Sequence, residues 1–178
     1  EPVVKVALSM FSDDMSAVTG RKAVHTNNAV LMIVELDKAS EKLRKKLARK
    51  NVPVDEVMSS YDGFNISVYD GNVFIVGKNG RGTAYGILEM SRMAGVSPWI
   101  WWGDVVPERK SCLTINRNTS VTLGASVEYR GIFINDEDWS IRPWTEKGQK
   151  GLIGRDTYKK VFQLLMRLRA NAVWPAMH

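Results

Sequence analysis

The sequence predicts two architectures in series: an α+β domain over residues 1–123 and, over residues 124–178, the opening of a parallel α/β fold. Three observations carry that prediction. Phe64, Ile66 and Val68 alternate with polar residues, an Asp70-Gly71 pair follows, and Val73-Phe74-Ile75-Val76 returns. An Asp-Gly link between such runs signals a β-hairpin. Helical periodicity flanks the hairpin on both sides. Near the C-terminus an apolar run at 127–134 and a second, Ala172-Val173-Trp174-Pro175-Ala176-Met177, are joined by a helical stretch, so the two strands must lie parallel through a crossover.

Taken in order, Val4, Leu8, Phe11, Met15 and Val18 share a helical face that Gly20 is suited to end. Ala29 to Leu36 is apolar, rich in β-branched residues, and reads as a buried strand. Ser40 can cap a helix on which Ala39, Leu43 and Leu47 recur at four-residue spacing. After the hairpin, Thr83 can cap a helix bearing Ala84, Ile87, Leu88, Met90 and Ala94 and closed by Gly95. Cys112 to Ile115 and Ser120 to Leu123 read as short strands. The strand at 127–134 then gives way to a polar, Trp-bearing loop of about twenty residues, a length seldom without a role. A helix at 155–170 follows, with Tyr158, Phe162, Leu165 and Leu168 on one stripe. Asp156 falls in its first turn and Arg167 and Arg169 in its last, both favourable to the helix dipole, and Asn171 can end it.

At 178 residues and 44% hydrophobic content the chain suits one good core, or a small domain plus part of another. It opens on Glu1 rather than Met, which predicts a processed or trimmed piece. The N-terminus lacks the basic-then-apolar form of a signal peptide. No apolar run reaches the length of a membrane span, so no membrane partner is expected. Cys112 is the one cysteine and cannot form an internal disulfide. The net charge of +6 concentrates between Glu41 and Lys50, where Lys42, Arg44, Lys45, Lys46, Arg49 and Lys50 oppose Glu41 alone. This pattern is the solvated face of an amphipathic surface helix. No aromatic residue interleaves those charges to stack on bases, so no nucleic-acid partner is expected.

The chemistry-bearing residues cluster where Tyr129-Arg130-Gly131-Ile132-Phe133-Ile134 runs into Asn135-Asp136-Glu137-Asp138-Trp139. In an extended chain Asp136 and Asp138 point to one side and Glu137 to the other. Glycoside hydrolysis needs two carboxyl groups flanking the bond, about 5 Å apart in retaining enzymes and wider in inverting ones. Carboxylates on one strand end cannot flank a bond, so this cluster supplies at most one of the pair. The same residues also fit a solvated strand end in which one acid pairs with Arg130 or Arg142. Trp139 and Trp144 in the loop fit either sugar stacking or packing, whereas Trp99, Trp101 and Trp102, bracketed by Pro98 and Gly103, read as a packed connector. Gly77 to Thr83 reads as a turn entering a helix, since it lacks the Gly-Lys-Ser/Thr ending of a phosphate loop. With His25, His178 and one cysteine, no metal site or Cys/His pair is expected. His25 reads as a surface residue, and His178 at the end of the second strand as a substrate ligand.

A family resemblance rests on these residues. The string Tyr129 to Trp139, then Pro143-Trp144, Thr157-Tyr158-Lys159-Lys160-Val161-Phe162, and Ala170-Asn171 to Trp174-Pro175-Ala176-Met177-His178 resembles glycoside hydrolase family 115, the xylan α-1,2-glucuronidases. Gly82-Thr83-Ala84-Tyr85-Gly86-Ile87-Leu88-Glu89 and Ser97-Pro98-Trp99 through Trp102 resemble the domain that precedes the barrel in that family, a domain related to the one before the barrel of β-hexosaminidases. The resemblance implies a β-hexosaminidase N-terminal-domain-like α+β domain (1–123) followed by the first β-α-β portion of a (β/α)8 barrel (124–178). It implies a glycoside hydrolase that removes glucuronic acid or its 4-O-methyl form from xylan by an inverting carboxylate mechanism, without a cofactor, in the periplasm or outside the cell. Xylan or glucuronoxylan oligosaccharides are then the partners. Asn135, Asp136, Glu137, Asp138, Trp139 and His178 would face substrate, with Asp136, Glu137 and Asp138 the catalytic candidates and the acid and base unassigned. By itself this piece is expected to be inactive and to associate through the unfinished barrel edge. The alternative is a non-catalytic carbohydrate-binding or interaction module.

Overall fold

The computed structural model describes residues 1–27, 29–148 and 153–176. Helix α1 (Pro2–Thr19) ends at Gly20, whose φ of 78° lets its N–H reach Ser16 O. Its buried face is Ala7, Met10, Phe11, Asp14, Met15 and Val18, and Leu8 is exposed. The expected stripe is thus rotated toward the small Ala7, on the side that packs against the helix after the hairpin. Strand β1 (Leu31–Glu35) is half-buried rather than buried, because it forms one edge of the sheet. Helix α2 (Glu41–Ala48) starts as expected, with Ser40 Oγ accepting from Leu43 N–H. A short helix, α3 (Val54–Ser59), follows Pro53.

The hairpin of β2 (Tyr61–Tyr69) and β3 (Asn72–Gly77) turns through Asp70 and Gly71 at φ 50° and 72°. Two positive φ angles in a two-residue link match the twist of the strands. Helix α4 (Gly80–Met93) begins four residues earlier than Thr83 would set it: Asn79 Oδ1 accepts from Gly82 N–H at 2.8 Å. Thr83 lies inside the first turn and donates its hydroxyl to Asn79 O. Strand β4 (Ser120–Ala125) forms as expected, but Cys112 to Ile115 forms no strand. The chain ahead of it is tied to helix ends instead, through Lys110 N–H to Val18 O and Lys110 Nζ to Ala94 O.

The mixed sheet has the order β1-β3-β2-β4, with β1 and β3 parallel and β2 antiparallel to both neighbours. Strand alternation sends Phe64, Ile66, Val73 and Ile75 to one face, where they meet Phe11 and Met15 of α1 and Ala84, Ile87 and Leu88 of α4. Phe74 and Val76 point the other way, into a core with Leu36, Leu47, Val52 and Val57.

Beyond the sheet, β5 (Gly131–Phe133) and β6 (Ala172–Trp174) form a parallel pair in the register Gly131–Ala172, Ile132–Val173, Phe133–Trp174. Between them lie α5 (Arg142–Gly148), inside the stretch expected to be loop, and α6 (Arg155–Arg167), shorter than expected. The buried line on α6 is Thr157, Val161 and Leu165, whereas Phe162 and Leu168 of the expected stripe are exposed. Val161 and Leu165 pack on Ile134, with Tyr158 and Val173 around them. The parallel pair is present, but no barrel is formed among the described residues.

Candidate functional site

The chain leaves β5 through Ile134, which is buried and donates its N–H to Trp174 O at 2.9 Å. It does not remain extended. Asn135 Oδ1 accepts the N–H of Glu137 at 3.0 Å, Ser140 N–H reaches Glu137 O at 2.9 Å, and the Asn135 carbonyl accepts from the Ser140 hydroxyl. An Asn side chain that captures the amide two residues on makes a turn of what would be strand. The expected alternation of carboxylates therefore fails. Asp136 is 4% exposed, whereas Glu137 and Asp138 are exposed and Asp138 Oδ1 accepts from Arg142 Nη1 at 3.0 Å. Of the two arginines expected to pair with this cluster, Arg142 does so and Arg130 does not. Trp139 stands 78% exposed beside them.

A cleft of about 250 Å³ opens at this strand end, between Ile134, Asn135, Ser140 and Ile141 on one side and Trp99 and Trp102 on the other. Trp102 stacks on Trp144 at 5.1 Å, Trp101 stands edge-on to both, and Trp102 Nε1–H donates to Lys160 O. The connector reading holds for Trp102, while Trp99 is 48% exposed. Trp144, open between stacking and packing in the sequence, belongs to this aromatic cluster. After β6, Ala176 N–H donates to Tyr158 Oη, which ties the outgoing chain to α6. His178 lies outside the described residues, and His25 is exposed.

What holds this unit in place was not visible in the sequence. Asp62, at the start of β2, is enclosed and receives Arg130 Nη2 at 2.7 Å, Arg81 Nε at 3.0 Å and Asn79 Nδ2 at 3.0 Å. Arg130 spends its remaining donors on the carbonyls of Val127, Glu128 and Arg169. Burial pushes the Asp62 carboxyl up, but the hydrogen bonds from Arg130, Asn79 and Arg81 outweigh it and hold the group below its ordinary value. Glu89 of α4 repeats the pattern: burial raises its pKa, and hydrogen bonds from Arg92 and Arg169 bring it below the usual range. Tyr85, which donates to Ala170 O, is pushed up by burial and by the nearby Asp62 charge. Asp14 of α1 grips Arg167 through two bonds of 2.8 Å. The one available signal was an acid at the mouth of a strand, Asp62, followed by a glycine. Among the described residues no group of three His, Cys, Asp or Glu could hold a metal ion, and no helix is long and apolar enough to cross a membrane.

The family model described as glycosyl hydrolase family 115 matches residues 124–178. No curated protein matches the chain. Among solved structures, 13 chains match. One is described as a novel family GH115 4-O-methyl-α-glucuronidase with specificity for decorated arabinogalactans. It is 39% identical, with a TM-score of 0.84 over 100% of this chain. This chain spans 24% of that protein's length. The family model takes in β5, α5, α6 and β6, and the structural likeness continues through the four-stranded sheet, so the chain belongs to glycosyl hydrolase family 115.

Proposed function

We propose that this chain supplies the first domain and the opening strands of the catalytic barrel of an α-glucuronidase. On this reading residues 1–123 are a β-hexosaminidase-type N-terminal domain and 124–178 the first β-α-β portion of a (β/α)8 barrel. The observation that carries the reading is the parallel β5–β6 pair bridged by α6, inside the residues that match the family. In such barrels the site is built at the C-terminal ends of the strands, which is where Asn135 to Trp139 follow β5. The reaction is removal of glucuronic acid, or its 4-O-methyl form, from an α-1,2 linkage on xylan, outside the cytoplasm and without a cofactor.

Inversion needs an acid and a base far enough apart to admit a water, roughly 6.5–9.5 Å. One strand end offers one of them. Glu137 presents an exposed carboxyl, Asp138 shares its own with Arg142, and Asp136 is enclosed. The opposing carboxyl comes from a later strand. Asn135 shapes the turn, Trp139 offers a ring face to a sugar, and His178 follows β6 as a further substrate ligand. Isolated, the chain binds without turnover, because it cannot enclose the bond.

The test is a chimera in which this chain replaces the matching quarter of the arabinogalactan-specific relative. Release of glucuronate from glucuronoxylan or arabinogalactan, lost on Glu137→Gln in a folded chimera, supports the reading, and the substrate that is cleaved identifies the backbone. A folded chimera that binds both glycans and cleaves neither favours the alternative, a non-catalytic carbohydrate-binding module presenting Trp139. Release of glucuronate by the 178-residue chain alone would overturn the unfinished-barrel reading.

A further inference from the structure

A second cleft of about 250 Å³ lies on the far side of Trp102 and Leu164, between the C-terminal half of α1, the tryptophan connector and α6. Clefts for drug-sized ligands run roughly 300–1,000 Å³, so this one suits a single small ring. Its walls differ from those of a packed seam. Trp101 forms one side, half-buried, and Asp13, Lys160 and Gln163 stand in the wall among the apolar Met10, Pro98, Ile100 and Leu164. A seam between two layers would be closed by apolar side chains on both sides, as the three cores of this chain are.

The polar groups in the cleft have capacity to spare. Lys160 Nζ lies 5.1 Å from the Trp101 ring and has no carboxylate partner among the described residues. Among those residues the Gln163 carboxamide makes no hydrogen bond. Asp13 has only Lys22, 3.9 Å away and as solvated as itself. Arg167 is different: Asp14 takes both of its terminal nitrogens, which makes this buried pair a floor rather than a contact for ligand. An indole beside an unspent carboxylate, carboxamide and ammonium matches a pyranose, which offers a face of C–H groups and a rim of hydroxyls that both donate and accept.

We propose that this cleft is a non-catalytic carbohydrate subsite, in which a pyranose ring packs against Trp101 and its hydroxyls bond Asp13, Lys160 and Gln163. Binding lifts the Lys160 ammonium from the indole face and gives it an oxygen. The site is independent of the strand-end reading, since the two clefts are separated by Trp102 and Leu164.

The indole N–H signals of the isotopically labelled chain, followed by NMR during titration with xylotetraose and with a glucuronate-bearing xylo-oligosaccharide, test the proposal. A saturable shift of the Trp101 signal is expected. Gln163→Ala should weaken it by about tenfold, a loss of one to two hydrogen bonds, with the indole signals of the sugar-free chain unchanged as a check on folding. If only the acidic sugar shifts Trp101, Lys160 reads a carboxylate; if both do, the ring alone is read. A Trp101 signal unmoved at millimolar sugar, or equal affinity in the folded Gln163→Ala chain, overturns the proposal. A shift confined to Trp139 also overturns it, and leaves the strand-end site standing.

Discussion

Replacing Arg130 with Met keeps most of the stem volume and removes the guanidinium that joins β5 to Asp62. The side chains of Arg130 and Asp62 are 18% and 4% exposed, so the pair is enclosed rather than solvated. Removing one partner of a buried pair costs about 3–5 kcal/mol, because the other charge is left without its counterion. Arg81 and Asn79 still serve Asp62 Oδ1, and the carbonyls of Val127 and Glu128 return to water. The loss therefore belongs at the lower end, about 3 kcal/mol. For a chain of this size that lowers Tm by about 6–12 °C, measured by circular dichroism. The pairing also has a pH signature. The folded Asp62 pKa is held below its unfolded value, so its contribution is present above about pH 4 and is lost as pH falls through the folded pKa. The gap in stability between wild type and Arg130→Met should accordingly narrow on acidification. Asp62→Asn combined with Arg130→Met should cost less than the two changes summed, by at least about 1 kcal/mol. A loss from Arg130→Met below about 1 kcal/mol, strict additivity, or a gap that widens toward low pH would refute the pairing as a structural clamp.

Asn79→Ala removes both the α4 cap and one Asp62 partner, and should cost about 1–2 kcal/mol by urea unfolding, more than an isolated cap. Gly131→Ala sets a methyl against the Ala172 backbone, so amide exchange at 131–134 and 172–174 should accelerate while the four-stranded sheet stays protected. Trp139→Ala, at a 78% exposed position, should leave stability within about 0.5 kcal/mol yet remove any sugar-dependent change reported at the strand end.

The elements that were legible in the sequence are those settled by neighbours in the chain. Asp70-Gly71 sets the hairpin by turn geometry alone, Ser40 caps α2 through the next turn's amide, and Gly20 ends α1 by its own φ. Where two local choices compete, distant partners decide. Thr83 and Asn79 can both cap α4. Asn79 prevails in a setting where its amide also bonds Asp62, seventeen residues away. At the candidate site the acids were visible and their disposition was not, because the hydrogen bond that Glu137 N–H donates to Asn135 Oδ1 helps convert strand into turn. The ion pairs Asp62–Arg130, Glu89–Arg169 and Asp14–Arg167 span 68, 80 and 153 residues, beyond the reach of any periodicity.

Those three pairs share a direction. In each, the carboxylate comes from the four-stranded sheet or the helices covering it, and the arginine from the β5–β6 unit. Each arginine also sits at a particular place. Arg130 immediately precedes β5, and Arg167 and Arg169 lie between the end of α6 and the start of β6. Asn171, one residue before β6, accepts from Arg130 N–H and donates to Glu128 O, which binds the two strand starts to each other. The ionic contacts thus seize the N-terminal ends of both parallel strands. In a parallel α/β fold those ends contribute stability, and the opposite ends contribute chemistry. The opposite end of β5 leads into Asn135 to Trp139, where the Asp138–Arg142 pair is solvent-exposed and worth little in water. Buried carboxylates are thus matched by arginines where the strands begin, while beyond the end of β5 Glu137 and Asp138 stand exposed and Asp136 is enclosed.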